Sequence, residues 1–124
     1  MKVRDMMTPD VITMVANTPL TDVFKTLYER HVGSVVIVNE ERGCEGIFTE
    51  RDAIRVVAMG ISLGTTLRDV MTKNVLTLRE DASFAEAKQV FTTHGIRHLP
   101  VVDDENHLIG MLSVRSILDE LVGL

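Results

Sequence analysis

Tryptophan is absent from this sequence, cysteine occurs once, and four Phe and one Tyr are the only aromatic residues among 124. So few rings exclude a platform on which nucleic-acid bases would stack. Basic residues are outnumbered 13 to 18, a formal charge of −5 at neutral pH. An acidic chain forgoes the phosphate attraction that supplies most non-specific nucleic-acid affinity. Cys44 has no second cysteine to pair with, and Gly43-Cys44-Glu45 offers no second metal ligand. It reads as a reduced thiol in an intracellular protein, without a redox role. Long apolar runs are missing as well. The longest, such as Val35-Val36-Ile37-Val38, fall far short of the roughly 20 residues of a membrane span. The opening Met-Lys-Val-Arg-Asp meets charge before any apolar stretch forms, unlike a secretory signal. The expectation is a soluble, cytoplasmic protein with neither membrane nor nucleic acid as its partner.

What is present is ordinary globular material, 45% hydrophobic and 25% charged, which excludes disorder as the default. The dominant feature is an internal repeat. Displaced by 64 residues, the chain matches itself without a gap: Val3-Arg4-Asp5-Met6-Met7-Thr8 lies over Leu67-Arg68-Asp69-Val70-Met71-Thr72. Gly46-Ile47-Phe48-Thr49-Glu50-Arg51-Asp52 lies over Gly110-Met111-Leu112-Ser113-Val114-Arg115-Ser116. Between 3–60 and 67–124, ten of 58 positions are identical, against about one in sixteen for unrelated sequences of average composition. Most other paired core positions exchange one aliphatic residue for another, the mark of a duplication.

Each copy reads as β-α-β-β-α. A short apolar strand (11–14, 75–78) precedes a helix start. Thr18-Pro19 suggests an N-cap with proline at the first helical position, and Ser83-Phe84-Ala85-Glu86 fits a capping box. Helix-period apolar residues follow, Leu20, Val23, Phe24 and Leu27 in one copy and Phe84, Ala87, Val90 and Phe91 in the other. Gly33 and Gly95 sit near the two helix ends. Two strands come next, joined by polar turns at 39–43 and 103–107, and a helix closes each copy (50–59, 114–122), with 60–66 as linker. The strands at 35–38 and 99–102 are apolar at nearly every position, so both faces should be covered. Pro100 is compatible with a strand start or edge. The fold class expected is mixed α/β (α+β), with repeats at 1–60 and 61–124. One repeat of about sixty residues is marginal alone, so the two should pack together as a pseudo-two-fold pair.

The paired R-D-x-M-T openings, Gly-Ile-Arg-His-Leu-Pro-Val-Val at 95–102 and the two G-h-h-[ST]-x-x-[DNS] stretches at 46–52 and 110–116 resemble the CBS (cystathionine β-synthase) domain pair, or Bateman module. The likeness covers essentially the whole chain. It implies a stand-alone regulatory or sensor protein, not an enzyme, that binds an adenosine nucleotide (AMP, ADP or ATP) in clefts between the repeats. S-adenosylmethionine and NAD(H) are the other ligands the resemblance allows, and no cofactor is required. A ligand-independent assembly module is the competing reading.

The residue chemistry agrees with that implication. A carboxylate can accept hydrogen bonds from both hydroxyls of a ribose, which makes Asp52 the sugar anchor. Thr49, three residues earlier at the start of the closing helix, can present its hydroxyl to a phosphate, and Arg51 adds a fixed positive charge. Gly46 is expected to turn the chain into its strand and admit backbone close to the ligand. Taken alone, T-x-x-D is an ordinary helix cap; within the doubled frame it reads as a ligand site. Adenine is expected against Thr8, Val11 and Ile12, or against Thr72, Val75 and Leu76. By resemblance, Arg97 and His98, just before the Leu-Pro strand containing Pro100, face the phosphate region. The second copy has Ser113, Arg115 and Ser116 at the motif, and a serine cannot replace a charged, two-pronged acceptor for a diol. One nucleotide per chain, at Asp52, is therefore expected. Arg51, Arg97 and Arg115 favour a phosphorylated adenosine over a sulfonium.

Other chemistries find little support. His94 and His98 are separated by a glycine that breaks any shared helix face, and His31 and His107 lie in turns, so no metal site is expected. No nucleophile stands with an arranged base, and no P-loop or G-x-S-x-G occurs. The seven methionines read as packing filler. The chain closes with its second helix, leaving no room for an output domain, so an unidentified effector protein is expected. Apolar residues of the closing helices (Ile54, Val57, Ala58; Ile117, Leu118, Leu121) exceed what a small core hides. By resemblance they pair two chains into a homodimer.

Overall fold

The computed structural model describes residues 1–122, with side chains through Leu118. Its elements run β1 (Thr13–Met14), α1 (Leu20–Arg30), β2 (Ser34–Val38), β3 (Cys44–Thr49), α2 (Glu50–Ala58), α3 (Leu67–Val70), β4 (Leu78–Arg79), α4 (Phe84–His94), β5 (His98–Val102), β6 (Leu108–Ser113) and α5 (Val114–Val122). A 3₁₀ turn at Val3–Asp5 precedes β1 and corresponds to α3. Among the described residues the strands form two three-stranded sheets, ordered β1-β2-β3 and β4-β5-β6. In each, the first pair is parallel and the second antiparallel. The class is mixed α+β.

The compact units do not follow the repeat boundaries. One unit is Ile12–Val75; the other joins Met1–Val11 to Leu76–Leu124. The opening segment of each repeat is thus exchanged. Leu67, Val70 and Met71 lie in the core with Leu20, Val23, Val35, Ile37, Phe48 and Val56 of the first repeat. Val3 and Met6 lie with Leu78, Ala87, Phe91, Leu99, Val101 and Leu112 of the second.

Glycine makes each exchange possible. Thr72 exchanges backbone hydrogen bonds with Ile47, 2.9 and 3.0 Å, beside β3, which is otherwise the sheet's edge. Thr8 does the same with Met111 of β6, at 2.8 and 2.9 Å. A Cβ on Gly46 would stand 2.7 Å from the Met71 sulfur and 3.0 Å from the Thr72 carbonyl oxygen. On Gly110 it would stand 2.7 Å from the Met7 sulfur and 3.1 Å from the Thr8 carbonyl oxygen. Gly46 therefore does not turn the chain into its strand. It sits inside β3, and the backbone it admits is that of the crossing Met-Thr segment.

Several local expectations shift for physical reasons. α1 starts at Leu20 with Pro19 as its N-cap, one residue later than the Thr18-Pro19 pair suggests. The Thr18 hydroxyl donates to the Val15 carbonyl at 2.7 Å, while the first amides of α1 donate to the Thr65 and Leu63 carbonyls. Ser83 does cap α4, accepting from the Glu86 amide at 3.1 Å. The left-handed residue ending α4 is Gly95, φ 61°; its counterpart at the end of α1 is His31, φ 53°, rather than Gly33.

Pro100 lies in the middle of the central strand β5, not at an edge or a start. Its counterpart Val36 donates to the Ile12 carbonyl at 3.0 Å; proline has no N–H to do so. Parallel pairing accordingly begins at Thr13↔Val36 in one sheet and one residue later, at Leu78↔Val101, in the other. Both first strands are two residues long and begin after the positions expected for them.

Candidate functional site

The site in the Ile12–Val75 unit is built where β3 passes into α2. Thr49 is the N-cap of α2, and Asp52 stands three residues on, completing a reciprocal capping box. The Thr49 amide donates to Asp52 Oδ2 at 2.9 Å, and the Asp52 amide donates to Thr49 Oγ1 at 3.4 Å. The carboxylate also complements the positive end of the helix dipole. Thus the helix-cap reading of T-x-x-D holds in this structure.

Capping accounts for only part of the carboxylate. Oδ1 accepts from the Thr72 hydroxyl at 3.3 Å and from Arg55 Nη2 at 3.3 Å. Charge-assisted N–H···O bonds are normally about 2.7–2.9 Å, so this oxygen is contacted but not tightly held. The Asp52 side chain is 13% exposed. Arg55 Nη2 makes a closer bond, 2.7 Å, to the Val70 carbonyl. An acid at a helix start, two threonine hydroxyls and a guanidinium therefore converge within one unit. Such a group can accept from a pair of vicinal hydroxyls if Thr72 yields Oδ1.

The expected site residues divide between the units. Thr49, Asp52 and Thr72 meet directly, Arg51 lies exposed on the same helix turn, and Ile12 belongs to the same unit, its carbonyl accepting from the Val36 amide of β2. Thr8 and Val11 belong to the other unit. Of the two threonines expected near adenine, it is Thr72 that stands beside Asp52, because the opening segment is exchanged. Leu76, Arg97, His98, Pro100, Ser113, Arg115 and Ser116 also lie in the other unit. His98 is paired with Ser113 in the β5–β6 register. The Arg97 carbonyl accepts from the Val114 amide at 3.1 Å, which brings Arg97 and Arg115 to the start of α5.

That second helix start is neutral at its cap. The Ser113 amide donates to Ser116 Oγ at 2.9 Å and the Ser116 amide to Ser113 Oγ at 3.0 Å. The Ser116 hydroxyl donates to the Ser113 carbonyl at 2.8 Å. No acidic residue occupies the first turn of α5, whereas Glu50 and Asp52 occupy that of α2.

Arg55 escaped the sequence reading. Its signal was the spacing, since a residue three positions after Asp52 lies on the same helix face; its second partner, Val70, is 15 residues away and carries no local sign. Cys44, half-buried in β3, has its thiol pushed up by burial, which disfavours the reactive thiolate. Among the described residues, no three His, Cys, Asp or Glu side chains gather as a metal-binding group, and no helix is long and apolar enough to cross a membrane.

A family model for the CBS domain matches residues 3–59 and 67–123. Protein MK0525 of Methanopyrus kandleri is 40% identical over 111 residues, covering 88% of this chain and 57% of that protein, so the chain spans little more than half of that relative. Among solved structures, the CBS domain pair of protein MJ0100, in complex with 5′-methylthioadenosine and S-adenosyl-L-methionine, is similar with a TM-score of 0.90 and 26% identity. The match covers 99% of this chain and 97% of that one. CBS domain protein PAE2072 from Pyrobaculum aerophilum, complexed with AMP, has a TM-score of 0.88 at 22% identity, with both chains fully covered, a likeness of fold.

Proposed function

This chain belongs to the CBS-domain family, and on that premise we propose that it is a regulatory module binding an adenosine nucleotide (AMP, ADP or ATP), with Asp52 holding the ribose. The observation that carries the reading is the loosely engaged Oδ1 of Asp52, contacted at 3.3 Å by Thr72 and Arg55 while Oδ2 is fixed at 2.9 Å by the Thr49 amide. A diol donates two hydrogen bonds to such a carboxylate, and bonds to a charged acceptor each contribute about 1.5–3 kcal/mol. Displacing the Thr72 hydroxyl costs less, because it is exposed to water. The 26%-identical MJ0100 pair is in complex with 5′-methylthioadenosine and S-adenosyl-L-methionine, which share adenine and a ribose with free vicinal hydroxyls, and this supports the sugar and base. Exposed Arg51 on the same turn favours a phosphorylated tail over a cationic sulfonium. Arg97 and Arg115, at the start of α5 in the other unit, where the first turn holds no acid, are cations we assign to a separate cleft that binds weakly or stays empty.

The module acts through its ligand state on a separate effector rather than by chemistry of its own. Calorimetric titration with AMP, ATP, NADH and S-adenosylmethionine tests this reading. One equivalent of AMP or ATP is expected per chain, with binding lost in Asp52→Ala. Two equal sites, or undiminished affinity in Asp52→Ala, would overturn it. Ligand at about 100 times its dissociation constant should also add about 2.7 kcal/mol of stability, whereas a pure assembly module would not respond.

A homodimer through the closing helices is the second part of the proposal. Ile54 and Val57 on α2 are each 69% exposed, Met59 at its end 68%, and Leu118 on α5 55%. Leu121, also assigned to the pairing, lies outside the residues whose side chains are described. Ile117 is buried and drops out of it. A monomer by light scattering at micromolar concentration would remove the dimer and leave the nucleotide site standing.

A further inference from the structure

Building on the reading of Asp52 as the sugar-binding acid, we infer that Arg55 is the positioning residue of this site, tying the acid to the exchanged segment that delivers Thr72. The two N–H groups of Arg55 Nη2 serve both sides. One reaches the Val70 carbonyl at 2.7 Å and the other Asp52 Oδ1 at 3.3 Å. Val70 is the last residue of α3, so its carbonyl has no partner within the helix. A four-residue helix is also too short to persist by its own hydrogen bonds and depends on tertiary ties. Leu67, Val70 and Met71 supply the apolar tie, and Arg55 supplies the polar one.

The inequality of its two bonds defines what Arg55 does. When donors arrive at Asp52, the 3.3 Å contact is the one to yield, and the 2.7 Å bond to Val70 remains. Thr72 then reorients over a segment that stays in place. The 64-residue offset sets Asp119 in the position of Arg55 and Ser116 in that of Asp52. Those two positions hold neither the acid nor the cation of this pair in the order found here, while the Thr8 amide makes the same crossing bond, 2.8 Å to Met111, that Thr72 makes to Ile47 at 2.9 Å. Thr8 is therefore an internal control.

The test uses the whole chain and three variants. Arg55→Met keeps an unbranched stem and removes the donors; Arg55→Lys restores a cationic donor; Asp52→Ala reports on the site itself. Without ligand, amide hydrogen exchange at Thr72 should rise by about tenfold in Arg55→Met, as a segment losing one polar tie opens more readily, with Thr8 unchanged. With AMP as probe, Arg55→Met should bind about tenfold more weakly, Arg55→Lys should recover most of that loss, and Asp52→Ala should lose about 100-fold or more. Unchanged exchange at Thr72, or Arg55→Met binding AMP as tightly as the parent while Asp52→Ala fails, overturns the role of Arg55 and spares the nucleotide site. A parent protein that ignores AMP, with Thr72 exchange raised in Arg55→Met, overturns the nucleotide reading and the ligand half of this inference together, leaving only the structural tie.

Discussion

The starts of α2 and α5 are the same device built twice, once with charge and once without. Thr49 and Asp52 close one cap; Ser113 and Ser116 close the other with bonds of equal or shorter length. Capping therefore does not require the aspartate. A serine at the third helical position satisfies the same backbone groups, so the carboxylate of Asp52 is surplus to the fold. Surplus charge, 13% exposed and contacted by a threonine brought from 20 residues away, is what favours the proposed binding role over a cap alone.

The sharpest way to break this comparison is Asp52→Ser, which copies the second cap into the first. AMP affinity should fall by about 100-fold, while the unfolding free energy changes by less than about 1 kcal/mol, within the range of cap exchanges among good capping residues. Denaturant unfolding beside calorimetry checks both halves. A large loss of stability would make Asp52 structural after all.

Next come the two crossing glycines. Gly46→Ala and Gly110→Ala each place a Cβ against a methionine sulfur and a threonine carbonyl, and each should destabilise by about 1–3 kcal/mol. The sulfur can swing aside; the carbonyl, at 3.0 Å in one case and 3.1 Å in the other, is held by the crossing bonds. Urea midpoints of the two variants should agree closely. Unequal costs would show that the exchanged segments are not held alike.

A smaller effect separates the helix ends. His31 adopts the left-handed conformation that Gly95 adopts in the other copy, and a side chain there costs about 1–2 kcal/mol. His31→Gly should raise the thermal midpoint, offset in part by the entropy of a more flexible unfolded chain, and Gly95→His should lower it.

The smallest concerns the hairpin turns. Asn39 Oδ1 accepts from the Glu41 and Gly43 amides, and Asp103 Oδ1 from those of Glu105 and His107. The amide of His107 is the main cause holding the Asp103 carboxyl below its ordinary 3.8. A folded-state value below the unfolded one gives stability that is present above pH 3.8 and lost as acid protonates the folded carboxylate. Asp103→Asn makes the second turn like the first, so its acid unfolding should be slightly less steep than the parent's; an unchanged profile would deny the turn any part in acid sensitivity.

Much of the fold was legible because it is local. Continuously apolar strands, helix-period stretches, the Ser83 cap and the polar turns follow from residues within a few positions of one another. The boundaries that shifted each had a remote cause. β4 begins late because Pro100, some twenty residues on, cannot donate, and α1 takes its first acceptors from Thr65 and Leu63. The site was half legible for the same reason. Thr49 and Asp52 are neighbours on one turn, whereas Arg55 matters through Val70, and Thr8 and Thr72 occupy equivalent places in the repeat.

By itself the sequence determined that this protein is a doubled β-α-β-β-α unit with one charged and one neutral helix cap, because repeats, periodicity and capping spacings are properties of short stretches. Only the tertiary structure decided which opening segment serves which sheet, and with it which threonine meets the acid. That choice depends on two glycines clearing room for a backbone that arrives from far along the chain, and two equivalent segments cannot be told apart until they are packed.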